Sequence, residues 1–316
     1  MTRKFRWGIL GTGRIAKTFA EAIAVIPGAE LAAVGSRGSA KEFAARHGAA
    51  RAHDSYEALA RDEGVDAVYV AVPHPFHAEN AILCLEAGRA VLVEKPFAMN
   101  EAQGRRMVEA AGKAKRFLME AMWTHFLPAV ARAVELVERG AIGRLLMIQA
   151  DFGFRADFDP RSRLFDPALG GGSLLDVGVY PVSLATRFLG EPSRIQSSAV
   201  LGATGVDEQA AMLLEYEGGR QALLSSAIRT ETGHAAVLSG SEGRIRIEAP
   251  FWKSQKLTLK DETLDLPYEG NGYTHQAREV MRCLAEGALE SPRMSHAFSL
   301  SVLRTLDAIR RPWGLR

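Results

Sequence analysis

Cysteine is nearly absent from this chain of 316 residues, which has only Cys84 and Cys283. Neither stands at a spacing that suits zinc or a redox pair, so a disulfide framework, a zinc finger and a Cys-x-x-Cys centre are excluded. A reduced, cytoplasmic setting is the expectation. Charge of one sign is missing too, since 39 Lys and Arg against 37 Asp and Glu leave a formal +2. That is too weak a field to draw nucleic acid or an anionic membrane, and neither is expected as a partner. No apolar run approaches the roughly 20 residues of a spanning helix. The opening MTRKFRWGILGTG is basic but lacks the apolar core and small-residue cleavage site of an export signal. What remains, 47% apolar and 24% charged residues, is an ordinary globular composition. The length allows two domains.

The first part alternates in period. FRWGIL is a compact apolar strand, Gly11-Thr12-Gly13 turns it, and Ile15, Phe19, Ile23 and Ile26 recur at helical spacing. ELAAVGSR, DAVYVAVP, AVLVEKP and FLMEAMW are further strands. SAKEFAARHG, with Ser39 and Glu42 at capping-box spacing and Gly48 as a stop, is a helix between them, as is HAENAILCLEAG. A further helix runs from Asn100 to about Lys115. Near-continuous apolar strands separated by helices of about 10–15 residues predict a doubly wound parallel α/β sheet of the Rossmann type over 1–123. From 124 to 316 the pattern changes. PAVARAVELVERG reads as a helix, LLMIQADFGF as a strand and GGGSLLDVGVYPVSLATRFLG as a glycine-led helix. Short alternating strands then run from Ser193 to about Leu266, before two closing helices. This predicts an α+β domain with a large, open, mostly antiparallel sheet.

Gly11-x-Gly13-x-x-Ala16, between strand and helix, lets backbone N–H groups and the helix start approach a pyrophosphate, with Thr12, Arg14 and Ile15 lining the approach. A glycine turn that only closes a corner is the alternative. GTGRIAKT also comes near a P-loop, but Ala16 places a methyl group where that loop must meet phosphate. About 20 residues on, a dinucleotide site usually carries an acid for the ribose 2′-hydroxyl. Here the strand ends in Gly35-Ser36-Arg37. Ser36 can hydrogen-bond a 2′-phosphate, Arg37 can pair with it and Lys41 adds a second cation, which favours NADP(H) over NAD(H). Arg37 and Lys41 as plain solvated charges remain the alternative.

Ligands of such sheets bind beyond the carboxyl ends of the strands, where Lys95 leaves AVLVE. On the residues alone it is equally well a surface lysine. Asp176 and Tyr180, four apart, share one face near a helix start. Gly-x-Ser173-x-Leu175 lacks the last glycine of a nucleophile elbow. His74 and His77, three apart, have no accompanying carboxylate set, so no metal is expected.

Glu94-Lys95-Pro96, with MEAMWTHFLPA, GGGSLLDVGVY, PFW and GNGYTHQA, resembles the glucose-fructose oxidoreductase, inositol dehydrogenase and rhizopine-catabolism (Gfo/Idh/MocA) family over essentially the whole chain. Within it the chain is most similar to the dihydrodiol and NADP-dependent xylose dehydrogenase branch, which carries Tyr where many sugar-acting members have His after Asp-x-x-x. The resemblance implies a dehydrogenase acting on a CH–OH donor, a small diol or sugar, with Lys95 and Tyr180 beside the reacting carbon and Asp176 as their catalytic companion. It places Val72, Pro73, His74, His77, Glu94, Lys95 and Pro96 at the cofactor. Arg163 resembles a family arginine that approaches the cofactor, though a loop salt bridge explains it as well. Trp123, Phe152 and Trp252 match substrate-pocket aromatics and are otherwise core. A homodimer or homotetramer through the carboxyl-terminal sheet is expected. Because the family includes cofactor-binding sensors, a regulator without turnover is the rival.

The chemistry implied is consistent. A phenol of pKa about 10 is a poor base at neutral pH, and a nearby ammonium favours its ionised form. Lowering that pKa by about 2 to 3 requires about 3 to 4 kcal/mol, within reach of a close, partly desolvated lysine. Pro96 biases Lys95 to extended geometry, aiming it off the strand end.

Overall fold

The apolar run after the basic amino terminus forms β1 (Phe5–Leu10) of the computed structural model, which describes residues 3–315. There follow α1 (Arg14–Ala24), β2 (Ala29–Gly35), α2 (Ala40–His47), β3 (Arg51–His53), α3 (Tyr56–Ala60) and β4 (Ala67–Val70). Next come α4 (His77–Glu86), β5 (Ala90–Glu94), α5 (Glu101–Ala114) and β6 (Leu118–Ala121). The six strands pair in parallel in the order β3-β2-β1-β4-β5-β6. Every residue of β4, β5 and β6 is buried, which is why these strands read as near-continuous apolar runs broken only by Glu94 and Glu120. The chain winds outward from β1 to β3, then crosses back to β4 and proceeds the other way. This creates a switch point between β1 and β4, where the ends of two strands diverge and leave a crevice.

The second unit opens with α6 (Pro128–Glu138) and β7 (Leu145–Gly153). A turn of π-helix, Leu174–Gly178, leads into α7 (Val179–Leu189). The remaining strands are β8 (Arg194–Leu201), β9 (Asp207–Tyr216), β10 (Arg220–Ala227), β11 (Ala236–Gly240), β12 (Arg244–Ile247), β13 (Lys256–Leu259) and β14 (Glu262–Asp265). They form one sheet, ordered β14-β13-β12-β11-β7-β10-β9-β8, antiparallel except where β7 and β10 run together. The nearly full burial of α7 and the alternating burial of β9 show one face packed. On the other face Gln149, Ala211, Leu213, Leu223 and Val237 line a shallow depression of about 760 Å³.

The chain forms two compact units that no single cut separates: 99–101 and 124–268 belong to the second with the chain from Leu300 onward, and the rest to the first. Residues 269–299, including α8 (Thr274–Ala285), belong to the first unit, and α9 (His296–Arg310) runs from the first unit into the second. The reason is local: α8 packs on α1, and the Asn271 side chain donates to the Thr18 carbonyl at 2.8 Å. An amphipathic pattern announces that a helix packs, not on which sheet.

Two further expectations are corrected. Ser39 precedes α2 but makes no side-chain cap, because its hydroxyl is engaged with Thr12 Oγ1 at 2.5 Å and Ser36 Oγ at 3.1 Å. One helical segment, Pro167–Leu189, is long and apolar enough to cross a bilayer, contrary to the sequence reading. It is mostly buried inside the second unit, and a core helix passes the same test of length and composition.

Candidate active site

Gly11 and Gly13 serve different ends. Gly11 has φ +99°, and a Cβ there would lie 2.4 Å from the carbonyl oxygen of Ala71, the residue after β4. Gly13 begins α1 with nothing within 4 Å of an added Cβ. The open side of Gly13, at a helix start beside the switch point, is a cradle into which a pyrophosphate fits and a side chain would intrude. Ala16 is fully buried, so the third position of the motif serves the packing of helix on sheet. Arg14 is exposed and Ile15 half-buried.

Gly11→Ala is therefore expected to cost about 2 kcal/mol of folding stability, lowering Tm by about 4–8 °C. Gly13→Ala should leave Tm within about 1 °C and weaken dinucleotide binding about tenfold. Thermal unfolding of the free protein beside a fluorescence titration with the dinucleotide checks both. Equal Tm losses in the two variants would contradict the assignment.

Beyond β2, the Thr12, Ser36 and Ser39 hydroxyls form a cluster at 2.5–3.3 Å. Ser36 is buried, while Arg37 is exposed with its guanidinium 5.5 Å from the ring centre of Tyr56. No carboxylate from β2 stands here. Lys41 faces Asp54 at 3.9 Å, both largely exposed, a pair weakened by solvent.

Lys95 follows β5 directly and is half-buried. Its peptide bond to Pro96 is cis. Glu94, buried, accepts from the Tyr69 hydroxyl and, at 3.2 Å, from the Lys95 amide. His77 is fully buried, with Nδ1 2.8 Å from the Pro96 carbonyl and Nε2 2.9 Å from that of Val72. Burial pushes its pKa down to about 4, so the ring is neutral near pH 7 and donates to one of these carbonyls at a time. With both nitrogens turned to carbonyls, His77 is a structural tie between the β4 and β5 ends. The His74 ring lies edge-on to it at 5.6 Å. No group of three or more potential metal ligands occurs among the described residues.

In the second unit the glycines ahead of the helix answer to packing. A Cβ on Gly172 would come 2.2 Å from Asp207 Oδ1, and one on Gly171 would come 2.8 Å from the Leu164 carbonyl. Asp207 accepts from the Leu174 amide at 2.7 Å and the Ser173 hydroxyl at 2.8 Å, closing the helix start. Asp176 then falls within the π-helical turn, and Tyr180 on the first turn of α7. Asp176 is buried, and its two oxygens accept from the Arg163 guanidinium at 2.9 and 3.3 Å. Of the two sequence readings of Arg163, the loop salt bridge is present.

Tyr180, also buried, has its ring 5.5 Å from that of Phe152, which stacks on Trp252 at 3.3 Å. His234 joins this cluster, 5.7 Å from Phe152 and 4.8 Å from Trp252. The sequence offered no sign of His234, a lone histidine in a loop. Its backbone amide is held by Asp151 at 2.8 Å and its Nε2 by the Gly153 carbonyl. Trp123 lies in the first unit and stacks on Tyr273 at 4.5 Å. The predicted residues thus assemble in two groups. The cofactor residues other than Arg163, with Lys95 and Trp123, are in the first unit; Arg163, Asp176, Tyr180, Phe152 and Trp252 are in the second.

Residues 5–122 match the oxidoreductase family, NAD-binding Rossmann fold, and residues 130–246 match the GFO/IDH/MocA C-terminal domain. Over 326 aligned residues, 98% of each chain, this chain is 38% identical to trans-1,2-dihydrobenzene-1,2-diol dehydrogenase of Xenopus laevis. Among solved structures, aldose-aldose oxidoreductase from Caulobacter crescentus, complexed with glycerol, superposes with TM-score 0.88 at 26% identity, covering 98% of this chain and 97% of that one. KijD10, a 3-ketoreductase from Actinomadura kijaniata in complex with NADP and TDP-benzene, gives 0.86 at 28% identity, covering 98% of both. A phosphate cradle at the switch point of a parallel sheet, joined to this likeness along the whole length, makes the chain an enzyme of the Gfo/Idh/MocA oxidoreductase family, with a nicotinamide dinucleotide as its cofactor.

Proposed function

We propose that this enzyme is an NADP-dependent dehydrogenase of a secondary or anomeric hydroxyl on a small diol or sugar, of the trans-dihydrodiol or D-xylose kind, or reduces the matching carbonyl. The observation that carries the reading is the whole-length likeness to trans-1,2-dihydrobenzene-1,2-diol dehydrogenases. Bound nicotinamide supplies the hydride acceptor. In this reading the chain's own residues handle the proton: Tyr180 takes it from the substrate hydroxyl, and the Lys95 ammonium keeps that phenol acidic enough to do so. Asp176, neutralised by Arg163, orients rather than acting as the base. Phe152, Trp252 and Trp123 offer apolar surface to a ring or carbon chain.

NADP preference is assigned to Ser36 and Arg37. A charge-assisted bond to a 2′-phosphate contributes about 1.5–3 kcal/mol, so Arg37→Ala should raise KM for NADP about 10- to 100-fold and leave KM for NAD unchanged. Initial rates with both cofactors, using xylose and a trans-dihydrodiol, test the reading. Tight NADP(H) binding with no turnover across a panel of polyols and sugars would replace it by a regulator.

The open sheet face is assigned to self-association as a homodimer or homotetramer. Its centre carries Leu213, Leu223, Gln149 and Val237 in register, with Ala211 opposite Ser225 and Leu223 42% exposed. Leu223→Glu should shift the sedimentation coefficient to that of the monomer. A wild-type protein that already sediments as a monomer would remove the assignment.

A further inference from the structure

Two buried titratable side chains grip opposite poles of one peptide group, that between Pro96 and Phe97. His77, the first residue of α4, stands at its carbonyl, 2.8 Å away. Glu120, on β6, stands at its amide, accepting from Phe97 N at 3.0 Å through Oε1. The other Glu120 oxygen accepts from the Ser299 hydroxyl of α9 at 2.6 Å. His77 and Glu120 are respectively 0% and 2% exposed, and Phe97 is 1% exposed. Because the carbonyl and N–H of a peptide lie in one plane, holding both fixes the plane itself. Lys95 is one residue upstream. The second nitrogen of His77 faces the Val72 carbonyl at 2.9 Å, beyond β4 and beside the switch point, so the ring that donates to Pro96 is wedged between the two strand ends.

We propose that His77 and Glu120 are positioning residues of the reaction: by fixing the Pro96–Phe97 peptide they set the direction in which Lys95 leaves β5. The proposal rests on the reading of Lys95 as a catalytic residue.

A glutamine could accept the Phe97 amide without the cost of a buried charge, so the acid itself calls for explanation. Burial pushes Glu120 up to about 7, and the neighbouring Glu94 of β5 pushes the same way. The Ser299 hydroxyl, the Phe97 amide and the Lys95 ammonium pull it down. Nearby polar groups include Tyr69 of β4, bonded to Glu94, and His296 of α9, bonded to the Leu118 carbonyl at 2.9 Å. When protonated, Glu120 still accepts the Phe97 amide through one oxygen. The grip persists while the negative charge acting on Lys95 is lost, so Glu120 tunes that lysine near neutral pH.

The test uses Glu120→Gln, which keeps an acceptor for Phe97 and cannot ionise, beside Glu120→Leu, which removes the acceptor. For Glu120→Gln, kcat on the high-pH plateau should stay within about threefold of wild type, and the Tyr180 ionisation in the kcat profile should move to lower pH, because the carboxylate charge that opposes the Lys95 ammonium is gone. Glu120→Leu should lose kcat about 10- to 100-fold with KM for the cofactor changed less than about threefold. A wild-type pH profile in Glu120→Gln would overturn the proposal, as would full kcat in a folded Glu120→Leu.

Two readouts need no turnover and separate this proposal from that of the activity. Exchange of the Phe97 amide should be slow in wild type and Glu120→Gln and fast in Glu120→Leu. The folded acid titrates above its ordinary 4.5, so wild type loses stability as pH rises from about 4.5 to about 7 and Glu120→Gln does not. The Tm of the variant relative to wild type should therefore rise across that window; a constant difference would show that Glu120 does not titrate there and overturn its tuning role.

Discussion

Lys95→Met should lower kcat at pH 7 by about 10²- to 10³-fold, while the dinucleotide still binds with Kd within about tenfold of wild type. Methionine keeps a long flexible stem and removes only the charge. The magnitude follows from the ionisation of the partner phenol. The ammonium favours the phenolate form of Tyr180; with the charge removed and the phenol at its ordinary pKa of about 10, only about one part in a thousand is ionised at pH 7, so up to about 10³-fold in rate can be lost. The same argument fixes the pH response. Residual kcat of the variant should climb about tenfold per pH unit toward pH 10, where the wild type is already flat. Absorbance of the reduced cofactor, followed from pH 6 to 10, reads both effects. A variant with a flat profile and near-normal rate would return Lys95 to the alternative of a surface lysine.

Tyr180→Phe should lose kcat by about 10²- to 10⁴-fold, the usual worth of a positioned proton acceptor, with substrate KM changed less than about fivefold. Phenylalanine preserves the ring beside Phe152, 5.5 Å away, so Tm should not move by more than about 2 °C. The residual rate should lack the ionisation that wild type shows, since the group that titrates is gone. Steady-state kinetics with thermal unfolding distinguish this from collapse of the aromatic cluster, which would raise KM and lower Tm together.

The first sheet was legible because parallel strands covered on both faces are near-continuous apolar runs, and because glycines mark the turns between them. The second was legible through alternation of period two. β3 (Arg51–His53) and α3 (Tyr56–Ala60) escaped because three and five residues are too short to show a period. β14 (Glu262–Asp265) is a polar edge strand. The Ser39 cap was misread because its hydroxyl serves Thr12 and Ser36, partners brought close only by the fold.

At the site, Gly11 and Gly13 could be found from spacing, but their division of labour could not, since it turns on where the Ala71 carbonyl lies. The π-helical turn under Asp176 left no mark in the sequence. Glu120 did leave one, being the single acid within the apolar run FLMEAMW. A carboxylate in a strand otherwise built for burial must be answered by hydrogen bonds, and here Phe97 and Ser299 supply them.

The most direct measurement is a crystal structure of the ternary complex with NADPH and a slow diol or sugar. The account predicts the Lys95 amine and the Tyr180 hydroxyl both within hydrogen-bond reach of one substrate hydroxyl, with the carbon that bears it facing the nicotinamide. The two groups turned toward separate cavities, with the substrate touching one alone, would contradict it.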